Sequence, residues 1–522
     1  MDNHTETTVC HSEGLTLPSL FAQRMQDMLG EDYQAFIASY AKPAHPSLRV
    51  NTLKLSPERL REIAPFVGDA IPWQPMGFYY PSKDGPSKDG VRPGKHPLHE
   101  AGAYYIQEAS AMLPASLCPP VPGERVLDLC AAPGGKATQL AAALCGEGLI
   151  VANEIHPTRA AILSQNMERM GVRNALVVNA TPAELSGKFP AFFDKIVVDA
   201  PCSGEGMFRK EADAVTMWSP ENVALCAKRQ GEILDEAAVM LRSGGYLTYS
   251  TCTFAPAENE GAILDFLVRH PEFEVIPSPE AAVESARQAG LLDGGHPEWV
   301  ESSAQYPEEL RAQIRNAYRV FPHHCDGEGH FAVLLRKADG AGALPLSSGE
   351  SKKKGKKADR SGSGKGDKTS PSSEAVAYKL FADFARDVLG GIPDWAERTV
   401  PCLFGDKLYL VPPALCGPDK DPQVILKGLR VLRPGLCVGA VMGMERGKGR
   451  FEPDHALALA AGISLRTFPV DHDGALAYLR GETLPADVRG WYAVTYHDLP
   501  LGWGKASDGV MKNHYPKGLR WI

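Results

Sequence analysis

Residues 125–140, RVLDLCAAPGGKATQL, constrain the fold of this chain more than any other segment. The apolar run at 126–129 is typical of a buried parallel strand. It ends at a proline-glycine turn, and a helical pattern begins near Lys136. A strand, a glycine turn and a helix N-terminus together predict a nucleotide-type cradle, because glycines let backbone N–H groups approach a ligand closely.

The same alternation of strand and helix continues through residues 121–337. Apolar runs recur at 149–153, 175–178, 195–198, 246–250 and 330–335, and helical patterns between them include 158–170 and 221–241. This pattern predicts an α/β fold with a doubly wound, mostly parallel, Rossmann-like sheet that binds ligands at the carboxyl ends of its strands. Glu154 follows the second run and lies twenty residues after Gly134, a spacing that suits the binding of ribose hydroxyls. The turn is not GxGxxG, so alone it is weak support for a nucleotide site.

Two cysteines, each placed after an apolar run, sharpen this interpretation. Cys202 lies in DAPCSGEGMFRK and Cys252 in YSTCTFAPAENE. With VLDLCAAPGGK, these segments resemble the signatures of the Sun-type RNA 5-methylcytosine methyltransferases, which use S-adenosylmethionine. Further matches, RVNTLK, YYIQEASAML and GEGHFAVLLRK, are most similar to the bacterial RsmF type, which modifies 16S ribosomal RNA. The resemblance covers roughly residues 15 to 337 and resumes in the C-terminal part.

The resemblance implies a catalytic role for four side chains. Cys252 is the expected nucleophile: its thiolate adds to carbon 6 of cytosine, which makes carbon 5 nucleophilic. Cys202 is expected to assist the breakdown of the covalent adduct after methyl transfer. Asp199 is expected to hold the exocyclic amine and N3 edge of the base, and Lys136 to reach toward the active site. The other thiols at 130, 145, 226 and 437 are expected to be ordinary buried side chains.

For the cofactor, S-adenosylmethionine, the resemblance implies contacts at the ends of several strands. The expected binding residues are Cys130, Ala131, Ala132, Pro133, Gly134, Gly135, Lys136, Glu154 and Asp199. After the third strand the family usually carries an acidic residue near the adenine, but this chain has Asn179-Ala180-Thr181. We expect Asn179 or Thr181 to replace that contact.

Composition shifts divide the chain into four predicted regions, and the resemblance implies the functions of the three folded ones. They are an α+β RNA-binding module at 1–120, the methyltransferase domain at 121–337, a disordered basic linker at 338–375 and a PUA-like RNA-binding domain at 376–522. In the first region we expect one helix over 17–40, a strand at 47–54 and a helix capped by Ser56. The linker is rich in glycine, serine and lysine, and cannot bury a core. A packing role for the first region remains the alternative.

Several basic segments indicate RNA contacts. Arg209 and Lys210, just after the Cys202 motif, are expected to contact phosphates. In the C-terminal region, a basic glycine-rich segment at 444–450 and cations interleaved with Trp503, Tyr515 and Trp521 suit phosphate contacts and base stacking. Purely structural aromatic residues are the alternative there.

Composition excludes other classes of protein. No apolar run approaches the ~20 residues of a membrane span, and the N-terminus lacks the features of a secretory signal. Eleven cysteines without CxxC spacing argue against a disulfide framework or zinc knuckle, and His323-His324-Cys325 with His330 fits no common zinc spacing. We therefore expect a cytoplasmic monomer without a metal. The net charge of −8 does not itself predict a nucleic-acid partner.

Three alternatives remain open. The same chemistry fits transfer RNA or large-subunit ribosomal RNA, because the catalytic residues do not encode the substrate. A non-catalytic RNA-binding assembly factor would not need both cysteines, Asp199 and PGGK together. A dehydrogenase is disfavoured by the missing GxGxxG and by the paired cysteines.

Overall fold

The computed structural model describes residues 10–12, 15–81, 92–340, 372–416, 421–443 and 449–521. Most of the tandem PSKDG repeat, nearly all of the predicted disordered linker and most of the segment at 444–450 lie outside these residues.

The N-terminal module combines short helices with a four-stranded sheet of order β4-β5-β3-β6, and β1 pairs with β2 as a hairpin. Its elements are β1 Cys10–Ser12, β2 Leu15–Leu17, α1 Ser19–Leu29, α2 Tyr33–Ser39, β3 Ser47–Val50, α3 Pro57–Ile63, β4 Ala70–Ile71, β5 Gln74–Tyr79, α4 Pro97–Glu100, β6 Tyr104–Ile106 and α5 Leu113–Ser116. The single helix predicted over 17–40 is wrong, because Gly30 at a φ of 55° ends α1 and a 3-10 turn precedes α2. Ser56 caps α3 as expected, accepting a hydrogen bond from the backbone N–H of Arg59 at 3.2 Å.

The central domain is the predicted Rossmann-like sheet with helices on both faces. Its elements are β7 Arg125–Asp128, α6 Gly135–Ala143, β8 Leu149–Asn153, α7 Pro157–Arg169, β9 Ala175–Val178, α8 Pro182–Ser186, β10 Phe193–Asp199, α9 Ala212–Met217, α10 Pro220–Met240, β11 Leu241–Thr251, α11 Glu260–Arg269, β12 Phe273–Ile276, α12 Ala281–Gln288, β13 Asp293–Gly294, α13 Glu308–Ile314, β14 Tyr318–Val320 and β15 His330–Lys337. Five strands, in the order β11-β10-β7-β8-β9, are parallel, and β15 continues the sheet antiparallel to β11. Every residue of β8 and β9 is buried, as expected for strands covered on both faces.

The C-terminal region contains two separate sheets where the sequence predicted one domain. Its elements are α14 Ser373–Val388, α15 Asp394–Glu397, β16 Val400–Phe404, β17 Lys407–Val411, α16 Pro422–Leu426, β18 Val431–Arg433, β19 Leu436–Met442, β20 Arg450–Pro453, α17 His455–Leu459, β21 Thr467–Pro469, α18 His472–Leu479, β22 Leu484–Pro485, β23 Gly490–Tyr496, β24 Leu499–Ser507 and β25 Val510–Asn513. One sheet has the order β16-β17-β19-β20 and the other β21-β23-β24-β25-β22. Helix α14 begins inside the predicted linker, because Ser372 caps it by accepting from the N–H of Ala375.

Strand β18 leaves the C-terminal region and extends the central sheet. It pairs antiparallel with β9, and Val431 lies opposite Val178. The buried side chain of Arg433 donates to the carbonyl of Val172 at 2.9 Å and lies 3.6 Å from Glu168. The C-terminal region is thereby attached at the edge of the sheet that carries the cofactor motifs.

The N-terminal module and the last sheet share one hydrophobic core. Leu48 and Tyr104 from the former pack in the same cluster as Leu501 in β24, Tyr478 in the adjoining helix α18 and Tyr515 just after β25. The Tyr515 hydroxyl also donates to Glu100 Oε2 at 3.2 Å. The two ends of the folded chain are therefore joined by apolar packing.

The burial of two aromatic side chains overturns part of the RNA interpretation. Trp503 and Tyr515, expected to stack on bases, are only 1% and 3% exposed. The indole N–H of Trp503 donates to the carbonyl of Asp454 at 2.9 Å, and its ring packs edge-on against Phe384. Both aromatic side chains are structural, whereas Trp521 is only half-buried. In the part of the chain with described coordinates, no helix has the length and apolar character that crossing a bilayer requires.

Candidate active site

The two cysteines singled out by their motifs lie side by side. Asp199 at the end of β10 is paired in register with Ser250 near the end of β11, so both following loops start at the same level of the sheet. The Sγ atoms of Cys202 and Cys252 are 3.4 Å apart, and both thiols are free and half-buried. Adjacent parallel strands thus bring together two side chains that are fifty residues apart in sequence.

The Cys202 thiol is held in its protonated form. The hydrogen bond with Cys252 raises the pKa of Cys202 well above its ordinary value, and burial acts in the same direction. Cys202 therefore keeps its proton and can donate it in a hydrogen bond to the Cys252 sulfur. Such a bond stabilises negative charge on Cys252, which is what a nucleophile needs.

A carboxylate lies at the end of the strand that leads to Cys202. Asp199 accepts hydrogen bonds from Lys136 Nζ at 2.8 Å and from the Ser250 hydroxyl at 2.7 Å. Burial acts to raise the pKa of Asp199, but the positive charge of Lys136 and these hydrogen bonds outweigh it and the pKa is lowered. Asp199 is therefore ionised and can accept hydrogen bonds from a ligand.

His330, which the sequence analysis treated as structural, also faces this carboxylate. It begins β15, is buried, and its Nε2 lies 3.8 Å from Asp199 Oδ1 with no hydrogen-bond partner among the described residues. Burial lowers its pKa to about 4, so the ring is neutral at physiological pH. The sequence could have indicated this position, because His330 begins the predicted late strand, which pairs with β11.

The other two histidines of that segment lie elsewhere. Ligand atoms of His323 and His324 lie within 4.8 Å of each other and of a carboxylate oxygen of Asp32. The absence of a metal remains a prediction.

The glycine turn before α6 has the shape of a ligand cradle. Gly134 has a φ of 115°, which favours glycine, and a Cβ on Gly135 would lie 3.1 Å from Gln107 Cδ. Cys130 to Lys136 form this turn and the start of α6, whose first turn carries no acidic side chain. These features fit a ligand bound through backbone N–H groups.

An arginine from the N-terminal module supports this turn and was missed by the sequence reasoning. Arg49 in β3 is buried and donates to the Gly135 carbonyl at 3.1 Å and to Thr138 Oγ1 at 2.8 Å. Burial lowers its pKa to about 10, so it remains charged. The sequence could have indicated Arg49, because it is the first residue of the family-matching segment RVNTLK.

Glu154 is held in place at the end of β8. Its Oε1 accepts from the backbone N–H of His156 at 2.8 Å, and its Oε2 lies 3.3 Å from Arg159. Arg159 also donates to the Ala132 carbonyl at 2.8 Å, which links the carboxylate to the glycine turn. The buried carboxylate and the turn together fit a nucleoside with a polar tail.

The two residues expected near the adenine have other partners. Asn179 Nδ2 donates to the carbonyls of Glu154 at 2.8 Å and Ile155 at 2.7 Å. The Thr181 hydroxyl and Glu184 form a capping box at the start of α8. The side chain of Thr181 is therefore engaged by its own helix.

Arg209 is not the phosphate contact that the sequence suggested. Its side chain is 10% exposed, pairs with the buried Glu328 at 2.9 Å and donates to the Ser39 carbonyl at 3.1 Å. Lys210 lies 3.5 Å from the same carboxylate. A buried guanidinium must be paired, and the partners of Arg209 come from two regions. Arg209 therefore links the N-terminal module, through Ser39, to the loop before β15, through Glu328.

Two buried glutamates lie behind the thiol loops and were not singled out by the sequence. Glu205 accepts from the N–H of Phe254 at 3.1 Å and lies 2.6 Å from Arg24 in α1. Glu258 accepts from the N–H of Ser203 at 2.9 Å and from Gln230 Nε2 at 3.0 Å. Burial raises the pKa of Glu258 to about 7. Both carboxyls connect the Cys202 loop to the segment that follows Cys252.

Comparisons with known protein families agree across the chain. Residues 115–336 match the family described as 16S rRNA methyltransferase RsmB/F, and residues 17–109 match the N-terminal domain of 16S rRNA methyltransferase RsmF. Residues 383–460 match the RsmF rRNA methyltransferase first C-terminal domain, and residues 465–521 match the methyltransferase RsmF PUA domain. The last two matches correspond to the two C-terminal sheets.

Similar proteins agree with these matches. Ribosomal RNA small subunit methyltransferase F of Erwinia tasmaniensis is 30% identical over 98% of both chains, and that of Shigella dysenteriae is 31% identical over 96% of both chains. A methyltransferase homolog from Pyrococcus horikoshii superposes with a TM-score of 0.50 and 29% identity, covering 61% of this chain and 95% of that one. NSun6 from Pyrococcus horikoshii shares the fold at a TM-score of 0.50 and 21% identity, over 62% of this chain and 98% of that one. At this identity and coverage, the chain belongs to the RsmB/F family of 16S ribosomal RNA methyltransferases.

Proposed function

We propose that this protein transfers a methyl group from S-adenosylmethionine to carbon 5 of a cytosine in 16S ribosomal RNA through a covalent adduct with Cys252. The observation that carries the proposal is the 3.4 Å contact between Cys202 and Cys252 beside the ionised Asp199. The small-subunit names of the relatives support 16S ribosomal RNA over transfer RNA or large-subunit RNA as the substrate.

The chemistry begins at Cys252. Its thiolate adds to carbon 6 of a cytosine that has left its stack, and carbon 5 becomes nucleophilic as part of an enamine. Bound S-adenosylmethionine supplies the electrophilic methyl group. Asp199 accepts a hydrogen bond from the exocyclic amine of the base, while Lys136 and Ser250 hold the carboxylate in place.

Cys202 completes the reaction. Once the Cys252 sulfur is bonded to carbon 6 it is a neutral thioether and a poor hydrogen-bond acceptor, so the hydrogen bond that is the largest cause of the raised pKa of Cys202 is lost. Cys202 then releases its proton to water and takes the proton from carbon 5. The electrons of that C–H bond re-form the ring double bond as the carbon 6–sulfur bond breaks, and Cys252 leaves as a thiolate.

The cofactor is assigned to the cradle formed by Cys130 to Lys136 and by Glu154. The left-handed Gly134, the close approach of Gly135 to Gln107 and the fixed carboxylate of Glu154 support this assignment. Asp199 lies where the cofactor and base sites meet, through its contact with Lys136.

The flanking regions are proposed to hold the RNA. In the last sheet, Lys505 and Lys512 lie directly opposite each other, and within the described ranges neither has an ion-pair partner. Like charges in that position repel each other, so an anionic ligand would stabilise the pair. Burial lowers the pKa of His514, and the positive charges of Lys505, Arg450 and Lys512 act in the same direction. Arg450 is therefore a third cation near the lysine pair.

We propose that the protein acts as a monomer. We place the reaction in the cytoplasm, where ribosomal RNA is made and thiols stay reduced.

The test is a denaturing gel of the Cys202→Ala and Cys252→Ala variants incubated with S-adenosylmethionine and small-subunit RNA or particles that lack the modification. We expect a slow-migrating RNA-linked protein with Cys202→Ala and none with Cys252→Ala. The reverse pattern would make Cys202 the nucleophile. If neither variant formed an adduct and the unmodified protein transferred no methyl group to RNA, the proposed reaction would be refuted.

A further inference from the structure

The polar network at the end of β9 joins the cofactor side of the sheet to the C-terminal region. The Asn179 amide donates both of its hydrogens, one to the carbonyl of Glu154 and one to that of Ile155. Its Oδ1 accepts from Arg430 Nη1 at 3.2 Å, and its backbone N–H donates to the Arg430 carbonyl at 2.9 Å. Asn179 therefore has no amide hydrogen left for a ligand.

Arg430 and the two carbonyls together fix which way this amide points. An asparagine can be rotated so that its oxygen and nitrogen exchange places, and only the surrounding partners fix the choice. A guanidinium can only donate, so the side facing Arg430 must be the oxygen. The nitrogen then faces the two carbonyls and holds the backbone of Glu154 and Ile155 where β8 ends.

That backbone carries the carboxylate proposed to bind ribose. Glu154 is buried, and its orientation depends on the N–H of His156, which caps α7, and on Arg159 in the first turn of that helix. A shift of the two carbonyls would move the carboxylate as well. The Asn179 amide thus holds the backbone that positions Glu154 on the adenosine side of the site.

The position of Arg430 is itself fixed from outside the catalytic domain. It immediately precedes β18, which is paired with β9 and anchored by the buried Arg433 on the Val172 carbonyl. Movement of the C-terminal region away from the sheet edge would withdraw Arg430 from Asn179.

We propose that Asn179 is a positioning residue rather than a direct adenosine contact, and that Arg430 of the C-terminal region holds it so that cofactor affinity depends on the docking of that region. The proposal rests on the proposed function, since it assumes that Glu154 binds the cofactor ribose. With asparagine in place of the family's acidic residue, this position no longer contacts the adenosine and instead positions Glu154.

The experiment is a calorimetric titration of the full-length protein with S-adenosylhomocysteine, which cannot donate a methyl group. We expect Arg430→Ala to weaken binding by about threefold to tenfold, as for the loss of one exposed charge-assisted hydrogen bond, and Arg430→Lys to recover part of the loss. Asn179→Asp should also weaken binding, although it restores an acidic side chain, because a carboxylate cannot donate to the two carbonyls. Steady-state assays should show a higher KM for S-adenosylmethionine at unchanged kcat.

The matched control is Arg398→Ala. Arg398 forms a similar exposed pair between the C-terminal region and the central domain, with Glu147 at 3.3 Å, away from Asn179. It should leave the affinity unchanged and alter thermal stability as little as Arg430→Ala does. Binding by Asn179→Asp as tight as or tighter than that of the unmodified protein, or unchanged binding by Arg430→Ala, would overturn the proposal. If the unmodified protein bound no S-adenosylhomocysteine, the cofactor assignment itself would fail, and this inference with it.

Discussion

Replacing Cys252 by alanine should make the Cys202 thiol easier to ionise. The hydrogen bond between the two sulfurs is the largest cause of the raised pKa of Cys202, and the substitution removes it. The variant also mimics the stage of the proposed reaction at which Cys252 is bonded to the base and carries no charge. It therefore tests the step in which Cys202 becomes able to take a proton.

The size of the effect follows from the 3.4 Å contact. A hydrogen bond to a charged group contributes about 1.5–3 kcal/mol, which corresponds to about one to two pKa units. The thiolate fraction at neutral pH would rise by about tenfold to a hundredfold. Because the nucleophilicity of a thiolate falls as its pKa falls, with a coefficient of about 0.4–0.5, the net increase in reaction rate is about threefold to tenfold.

The assay is alkylation by iodoacetamide over a range of pH, followed by mass spectrometry of the peptide that contains Cys202. The exposed Cys145 of the same molecule serves as the internal standard. Cys252→Ser separates charge from size, because serine keeps a hydrogen-bonding side chain but stays neutral. Equal or slower alkylation of Cys202 in Cys252→Ala would refute the reasoning, since it would mean that Cys252 does not hold the Cys202 proton.

Three further predictions concern single side chains. Thr181→Ala should lower the free energy of unfolding by about 1 kcal/mol through loss of the α8 cap, and should leave S-adenosylhomocysteine affinity unchanged in calorimetry; weaker binding would return Thr181 to the cofactor site. Arg209→Ala should destabilise the protein by less than about 3–5 kcal/mol in urea unfolding, because the buried Glu328 would lose its closer cation and keep only Lys210, without changing the salt dependence of RNA binding. A reduced salt slope would show that Arg209 does contact phosphate. Glu258 has a folded pKa of about 7, above its ordinary 4.5, so the folded state binds the extra proton and this group's stabilising effect declines as pH rises through that interval. At pH 8 the Glu258→Gln variant should therefore be more stable than the unmodified protein, by at most about 3 kcal/mol in the free energy of unfolding, and should unfold at a higher temperature. The difference should vanish near pH 4. A difference that stayed constant with pH would contradict the assigned pKa.

The sequence predicted the central sheet well because its signals are local. The strand runs at 149–153 and 175–178 match β8 and β9 residue for residue, and the helix predicted over 158–170 matches α7 to within one residue at each end. The placement of Cys202 and Cys252 at the ends of neighbouring strands follows from the order of a doubly wound sheet. The structure adds the in-register pairing of Asp199 with Ser250, which brings the two thiols into contact and which the sequence alone does not show.

The interpretations that failed depend on contacts between distant parts of the chain. Arg209 is a basic residue beside a catalytic motif, and only the fold shows that it lies against Glu328 and Ser39. Trp503 lies among cations in sequence, yet its strand buries it against Phe384. His330 was missed for the same reason, because its neighbour Asp199 comes from a strand 131 residues earlier.

The core shared by the first and last regions has a consequence for the synthesis of this protein. Tyr104 and Tyr478 belong to the same apolar cluster but are separated by 374 residues of chain. At a translation rate of about 5–20 residues per second, the N-terminal module waits roughly 20–75 s for the strands that cover it. During that time Leu48 and its neighbours are exposed to solvent, and the nascent chain presents an apolar surface of the kind that chaperones bind. The N-terminal module is therefore covered only after residues 475–515 have been synthesised, and a chain that stops before them lacks the packing partner of its N-terminal four-stranded sheet.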